Sequence, residues 1–155
     1  VTFTGDVLNA AWASFYLNHP VFQVTQNVAQ TYTTGVTTTV NWTNLQFDNY
    51  TGGSLVNNNY VIQIPGWYRC SVLYHFTGNT AGVRYVDAVK NGVAQIFFAN
   101  RTGMAGVSSC GMDGLIQCVA GDVISIEAQQ NSGGNLASFI SASYVPSWTL
   151  EWIRS

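Results

Sequence analysis

Apolar and polar residues alternate along Trp67-Tyr68-Arg69-Cys70-Ser71-Val72-Leu73-Tyr74-His75-Phe76. Tyr68, Cys70, Val72, Tyr74 and Phe76 share one side, and Trp67, Arg69, Ser71, Leu73 and His75 share the other. A period of two is that of a strand with one face fit for a core. Ile64-Pro65-Gly66 predicts a sharp turn ahead of it, because Pro65 fixes φ and Gly66 accepts positive φ. Shorter runs of β-branched and aromatic residues suit a pleated surface at 21–25, 28–34, 36–42, 83–90, 93–99, 115–119, 123–130 and 147–154. A further run at 54–64 passes through the turn-prone Asn57-Asn58-Asn59, and 47–53 reads as a turn-rich loop. No helical repeat of ten or more residues follows residue 20. Many short strands between Gly-marked turns predict an all-β, antiparallel two-sheet sandwich or barrel.

Residues 1–20 follow a different pattern. Residues 7–17 suit about two helical turns with an apolar stripe, or an extended arm, and His19-Pro20 ends either. The expected organisation is an N-terminal arm or stalk junction at 1–20 and one sandwich domain at 21–155.

Parity adds a prediction about the two ends. In an antiparallel sandwich successive connections alternate between poles. Counted back from the last strand, the tight turns at Pro65-Gly66, Asn91-Gly92 and Gly121-Asp122 fall where the C-terminus emerges. The looser segments at 78–82, 100–114 and 131–146 fall at the opposite pole. Long loops on a rigid scaffold are where binding functions concentrate. The expected binding residues are therefore Asn79 and Thr80, then Arg101, Thr102 and Met104, then Asn131, Ser132 and Asn135. Their amides and hydroxyls suit a sugar.

Charge narrows the partners. Only 8% of the 155 residues are charged, against about 25% in an ordinary soluble chain. Five Lys and Arg and a net charge of −2 argue against nucleic acid, which needs a cationic footprint. Polar residues interrupt every apolar run well short of the ~18 residues of a membrane span, so no membrane insertion is expected. A surface of amides and hydroxyls suits a stable extracellular or virion protein.

Three cysteines form no disulfide framework. Cys70 and Cys118 lie in apolar runs and read as buried thiols, a bridge between them being the alternative.

Ile64-Pro65-Gly66-Trp67-Tyr68, Lys90-Asn91-Gly92, Ala120-Gly121-Asp122-Val123-Ile124 and the closing aromatic strand resemble the C1q/TNF-like jelly roll over roughly residues 20–155. Ala29-Gln30-Thr31, Phe47-Asp48 and Gly82-Val83-Arg84 make the similarity closest to the phage version, found in tail fibres and minor tail proteins. The resemblance implies about ten strands and a homotrimer built through the outer face of one sheet. Trp67, Leu73, His75 and Ile153 are the expected interface residues, because the alternation turns them outward. It further implies a non-enzymatic head domain located on the virion and outside the cell, attaching to a host-surface glycan or protein. Contacts with other virion proteins would run through the N-terminal arm. A capsid head-fibre or decoration protein is the alternative. A eukaryotic secreted C1q-like ligand stands third, since no collagen-like Gly-x-y repeat is seen.

Catalytic chemistry finds little support. His19 and His75 form no zinc motif. Glu127 and Glu151 are expected on opposite sheets, unable to flank one glycosidic bond. No nucleophile elbow or phosphate loop occurs. No cofactor is expected. Calcium is the one alternative, against which Asp48, Asp87, Asp113 and Asp122 read as single acids without clustered partners.

Overall fold

The computed structural model describes residues 19–155, with the side chains of residues 94–98 outside that description. The arm expected at 1–20 lies outside it except for His19 and Pro20. Five strands form one sheet in the order β10 (Ser108–Cys118), β7 (Gly66–Phe76), β13 (Ser147–Arg154), β1 (Val21–Thr25) and β4 (Asn44–Asp48). The second runs β5 (Gly53–Ser54), β6 (Asn59–Val61), β11 (Val123–Gln130), β8 (Asn79–Lys90) and β9 (Val93–Met104), with β3 (Thr38–Thr39) also on β11. A small pair, β2 (Thr31–Tyr32) and β12 (Leu136–Ala137), stands apart. Every pairing is antiparallel, and no described residue lies in a helix.

The alternation on β7 points as expected. Tyr68, Cys70, Val72, Tyr74 and Phe76 are buried, as are Trp148, Leu150 and Trp152 of β13. Opposite them lie Val86 and Ala88 of β8 and Ile124, Ile126 and Ala128 of β11. Aromatic rings run through the core in contact: Tyr60 meets Phe22, Phe22 meets Trp148, Trp148 meets Trp42, and Trp42 meets Tyr74. Tilted and edge-to-face geometries at centroid spacings of 4.9–6.2 Å are those favoured by the ring quadrupole.

Four stretches depart from the pattern reading. Residues 79–82, expected in a loose connection, open β8 instead, because Asn79 and Val83 pair with Met104 and Thr102 of β9. Residues 100–114, expected as a loop, are strand on both sides of a short turn at 105–107. At Gly103 the glycine is a packing requirement: a Cβ there would lie 2.4 Å from the Asn79 carbonyl oxygen. Eleven residues of β10 register against β7, and that long ladder overrides weak local propensity. Conversely, the runs at 28–34 and 36–42 contribute only β2 and β3. Between them the Gln30 side chain accepts from the Asn41 N–H (2.8 Å) and donates to the Thr39 carbonyl (2.8 Å), doing the work of a ladder. Residues 44–48, not singled out as a strand by pattern, form β4 on β1.

All three cysteines are buried free thiols. Cys70 lies opposite Gly114 and Cys118 opposite Gly66. Four residues of register, about 13 Å, exceed disulfide reach. Burial pushes the Cys70 thiol up to about 12 and the other two to about 11, so none is a ready nucleophile.

Candidate functional site

The connections sort to two poles. At one, Asn91 donates to the Asp122 carboxylate (2.7 Å), the Val119 N–H donates to its other oxygen (2.9 Å), and Lys90 Nζ lies 3.8 Å away. The Asp122 carbonyl accepts from the Ile62 N–H, and Pro65 O accepts from Trp152 Nε1. The hydrogen bonds to its carboxylate, from the Val119 N–H first and then Asn91, hold the Asp122 carboxyl below its ordinary value. The three tight turns and the C-terminus share this end.

The other pole gathers 79–82, 101–104 and 131–135. Met104 pairs with Asn79, Thr102 with Val83 and Arg101 with Arg84. Asn131 exchanges backbone and side-chain hydrogen bonds with Val83. Gly82 (φ +68°) sits against Asn131, and a Cβ there would lie 2.2 Å from the Asn131 carbonyl oxygen. The expected binding residues are thus brought together, but they are not equally available. Asn79 Oδ1 accepts from the Ala81 N–H, Asn131 Oδ1 from the Val83 N–H, and the Ser132 hydroxyl donates to Gln130. The exposed Thr80, Arg101, Thr102 and Asn135 have no side-chain hydrogen bond among the described residues, and Met104 is exposed beside them.

Arg84 organises this pole from beneath, a role that pattern reading missed. It is fully buried and donates to the carbonyls of Asn79 (2.9 Å), Ala81 (3.0 Å) and Val83 (3.2 Å). The 79–83 segment wraps around its guanidinium where the β8–β9 register shifts. No carboxylate pairs with it among the described residues. Its signal in the sequence was an arginine in phase with the core residues Val86 and Ala88.

The outer face of the β10-β7-β13-β1-β4 sheet is the second candidate. Leu73 (44% exposed), Leu115 (49%), Phe47 (50%) and Ile153 (42%) stand open on it, with Trp67 half-buried. Trp67 and Ile153 lie near the tight-turn pole, and Leu73 lies six residues along β7, about 20 Å away. His75 differs from expectation. It is 4% exposed, bonded to Ser109 Oγ at 2.8 Å and covered by the Tyr144 ring at 5.3 Å. Residues 139–146 fold back over it, starting with the Phe139 N–H on the His75 carbonyl. Tyr144, not His75, is therefore what this face presents there, and burial lowers the imidazole's pKa.

A polar ladder crosses the same face. Arg69 holds Asp113 with two hydrogen bonds (2.9 and 2.8 Å), Ser71 donates to the same carboxylate, and His19 reaches Glu151 at 3.3 Å. Arg69 first, then Ser71, draws the Asp113 carboxyl down to about 2.

On the outer face of the other sheet, Asp87 and Glu127 stand directly opposite each other on β8 and β11, a pairing neither strand reveals alone. They line a shallow cleft of about 160 Å³ with Thr37, Tyr85, Ala128 and Gln129. Asp87 Oδ1 is buried without a hydrogen-bond partner. Burial, then the Glu127 charge, raises the Asp87 carboxyl. Glu127 and Glu151 lie on opposite sheets. Among the described residues no three His, Cys, Asp or Glu converge as metal ligands.

No protein-family model matches the chain, and no curated protein does. Solved structures do. The globular domain of zebrafish complement 1qA aligns over 88% of this chain and 99% of its own, at a TM-score of 0.62 and 13% identity. Murine APRIL aligns over 87% and 99%, at 0.65 and 16%. Eiger TNF from S. frugiperda aligns over 89% and 95%, at 0.63 and 8%. At such identities the likeness speaks to the fold alone. That fold is the C1q/TNF-like jelly roll.

Proposed function

We propose that the chain is a non-enzymatic, homotrimeric head domain that buries the outer face of the β10-β7-β13-β1-β4 sheet between three copies and presents the Arg84 pole for attachment. The observation that carries this reading is the exposure of Leu73, Leu115, Phe47 and Ile153 around the Arg69–Asp113 ladder on one sheet face. Apolar anchors within a polar surround are what an interface between copies uses. Three copies of one pole on a rigid head also gain avidity from modest individual contacts.

Within that class we infer the head of a phage tail fibre or minor tail protein that attaches to a host surface. Support comes from Ala29-Gln30-Thr31, Phe47-Asp48 and Gly82-Val83-Arg84, which resemble the phage version. A secreted ligand is the second reading, favoured by the complement, APRIL and Eiger structures that share the fold. The experiment is attachment of the fluorescently labelled chain to bacterial cells. Attachment lost on replacing 131–135, with trimer mass unchanged, supports the phage head. Attachment to animal cells alone supports the secreted ligand, and binding only to capsids or tail proteins supports a decoration role.

A further inference from the structure

We propose that the Arg84 pole recognises an anionic glycan, a polyol chain bearing carboxylates or phosphodiesters, with Arg101 as the contacting cation. The proposal rests on the attachment reading above and names the ligand class that the pole suits.

The first ground is a pair of like charges. Arg84 and Arg101 are directly opposite in the β8–β9 register, an arrangement that costs stability when nothing neutralises it. Arg84 cannot be relieved from solution. It is fully buried, its terminal nitrogens are spent on the Asn79, Ala81 and Val83 carbonyls, and its Nε is buried without a partner. Its positive charge is thus fixed beneath the first residues of β8, in a setting that screens it less than water does. Arg101 is exposed, and no hydrogen bond or ion pair holds it among the described residues. An anion seated at Arg101 would relieve the pair.

The second ground is where the acids are. Asp48, Asp87, Asp113, Asp122, Glu127 and Glu151, the acidic residues of the described chain, all lie outside 79–82, 101–104 and 131–135. Arg69 and Lys90 have carboxylates close by, Asp113 and Asp122. The Arg84 pole has none among the described residues. A cationic end on an otherwise acidic body steers toward an anionic surface pole first.

The third ground separates a glycan from a protein partner. Thr80, Thr102 and Asn135 offer hydroxyls and an amide that pair with sugar hydroxyls. Gly133 and Gly134 leave open space beside them, so a chain can approach closely. Met104 is the one large apolar side chain in the three segments, and no aromatic anchor of the kind that dominates protein interfaces is present in them.

The test measures binding of the full chain to immobilised polygalacturonate, to a poly(glycerol phosphate), and to fully methyl-esterified polygalacturonate as the uncharged backbone. At least one anionic polymer is expected to bind, and the ester to bind at least about tenfold more weakly. Which anionic polymer binds better distinguishes carboxylate from phosphodiester recognition. Arg101→Glu is expected to lower affinity about tenfold or more, and Arg101→Lys by about threefold or less. Arg154→Glu makes the same charge change on the exposed C-terminal strand and is expected to leave binding within twofold. Equal binding of the ester, equal loss in Arg101→Glu and Arg154→Glu, or no binding to either anionic polymer overturns the proposal. Cell attachment separates the two claims. Attachment that survives Arg101→Glu but is lost on replacing 131–135 overturns the anionic ligand and leaves the attachment reading intact.

Discussion

The two poles of the sandwich are built from similar residue types and treat them in opposite ways. At the tight-turn pole, Asn91, Asp122 and Lys90 satisfy one another and the local backbone. At the other, Arg84 holds the start of β8 from below, while Thr80, Arg101, Thr102 and Asn135 remain open. Asn, Thr and Gly therefore do not mark a binding surface by themselves. What distinguishes the poles is whether the polar groups are consumed internally, and that depends on contacts across strands far apart in sequence.

The contrast can be broken from either side. The largest effect is expected from Arg84→Met. It strips three carbonyls of their donor inside a closed pole and should cost about 3 kcal/mol, measured by urea unfolding. Hydrogen exchange should rise first at 79–83, and uniform loosening of both poles would contradict the organising role of Arg84. Asp122→Ala is the counterpart at the tight-turn pole. Loss of charge-assisted bonds to the Val119 N–H and Asn91 should cost about 2 kcal/mol. The folded-state pKa of Asp122 is depressed. Its contribution is therefore present above the unfolded carboxylate value of about 4 and lost as pH falls through the folded value. The variant should flatten that acid limb of the stability curve.

Smaller effects sharpen the picture. Asp87→Asn removes a cross-strand like-charge pair and should stabilise the chain by about 0.5 kcal/mol at neutral pH. The sign follows from a raised folded-state pKa. The ionised pair penalises folding above that value, and the penalty disappears as pH falls, so wild type and variant should converge in acid. Destabilisation at pH 7 would mean that the acid has a role in the cleft. Thr102→Ala and Asn135→Ala, at open positions, should leave stability within about 0.5 kcal/mol, checked by thermal melts.

Much of this was legible in the alternation. On β7, β11 and β13 every second residue enters the core, so burial could be read residue by residue. Parity likewise placed 79, 103 and 133 at one end, since connections alternate whatever their composition. What was not legible depends on partners. The Gly-rich 100–104 and 108–114 became strand because long neighbours paired with them and Gly103 had to clear a carbonyl. His75 has the outward phase of Trp67 and Leu73, yet residues 139–146 return to cover it. Asp87 and Glu127 are forty residues apart in the chain, and only the β8–β11 register makes them a pair.

The claim on which the account turns is that the Leu73–Leu115–Phe47–Ile153 face is covered by further copies of the chain. Sedimentation equilibrium of the chain and of Leu73→Asp at micromolar concentration tests it most directly. The wild-type chain is expected at about three times its 16.8 kDa mass, and Leu73→Asp as a folded monomer with an unchanged circular dichroism spectrum. A wild-type chain that sediments as a monomer throughout that range would contradict it.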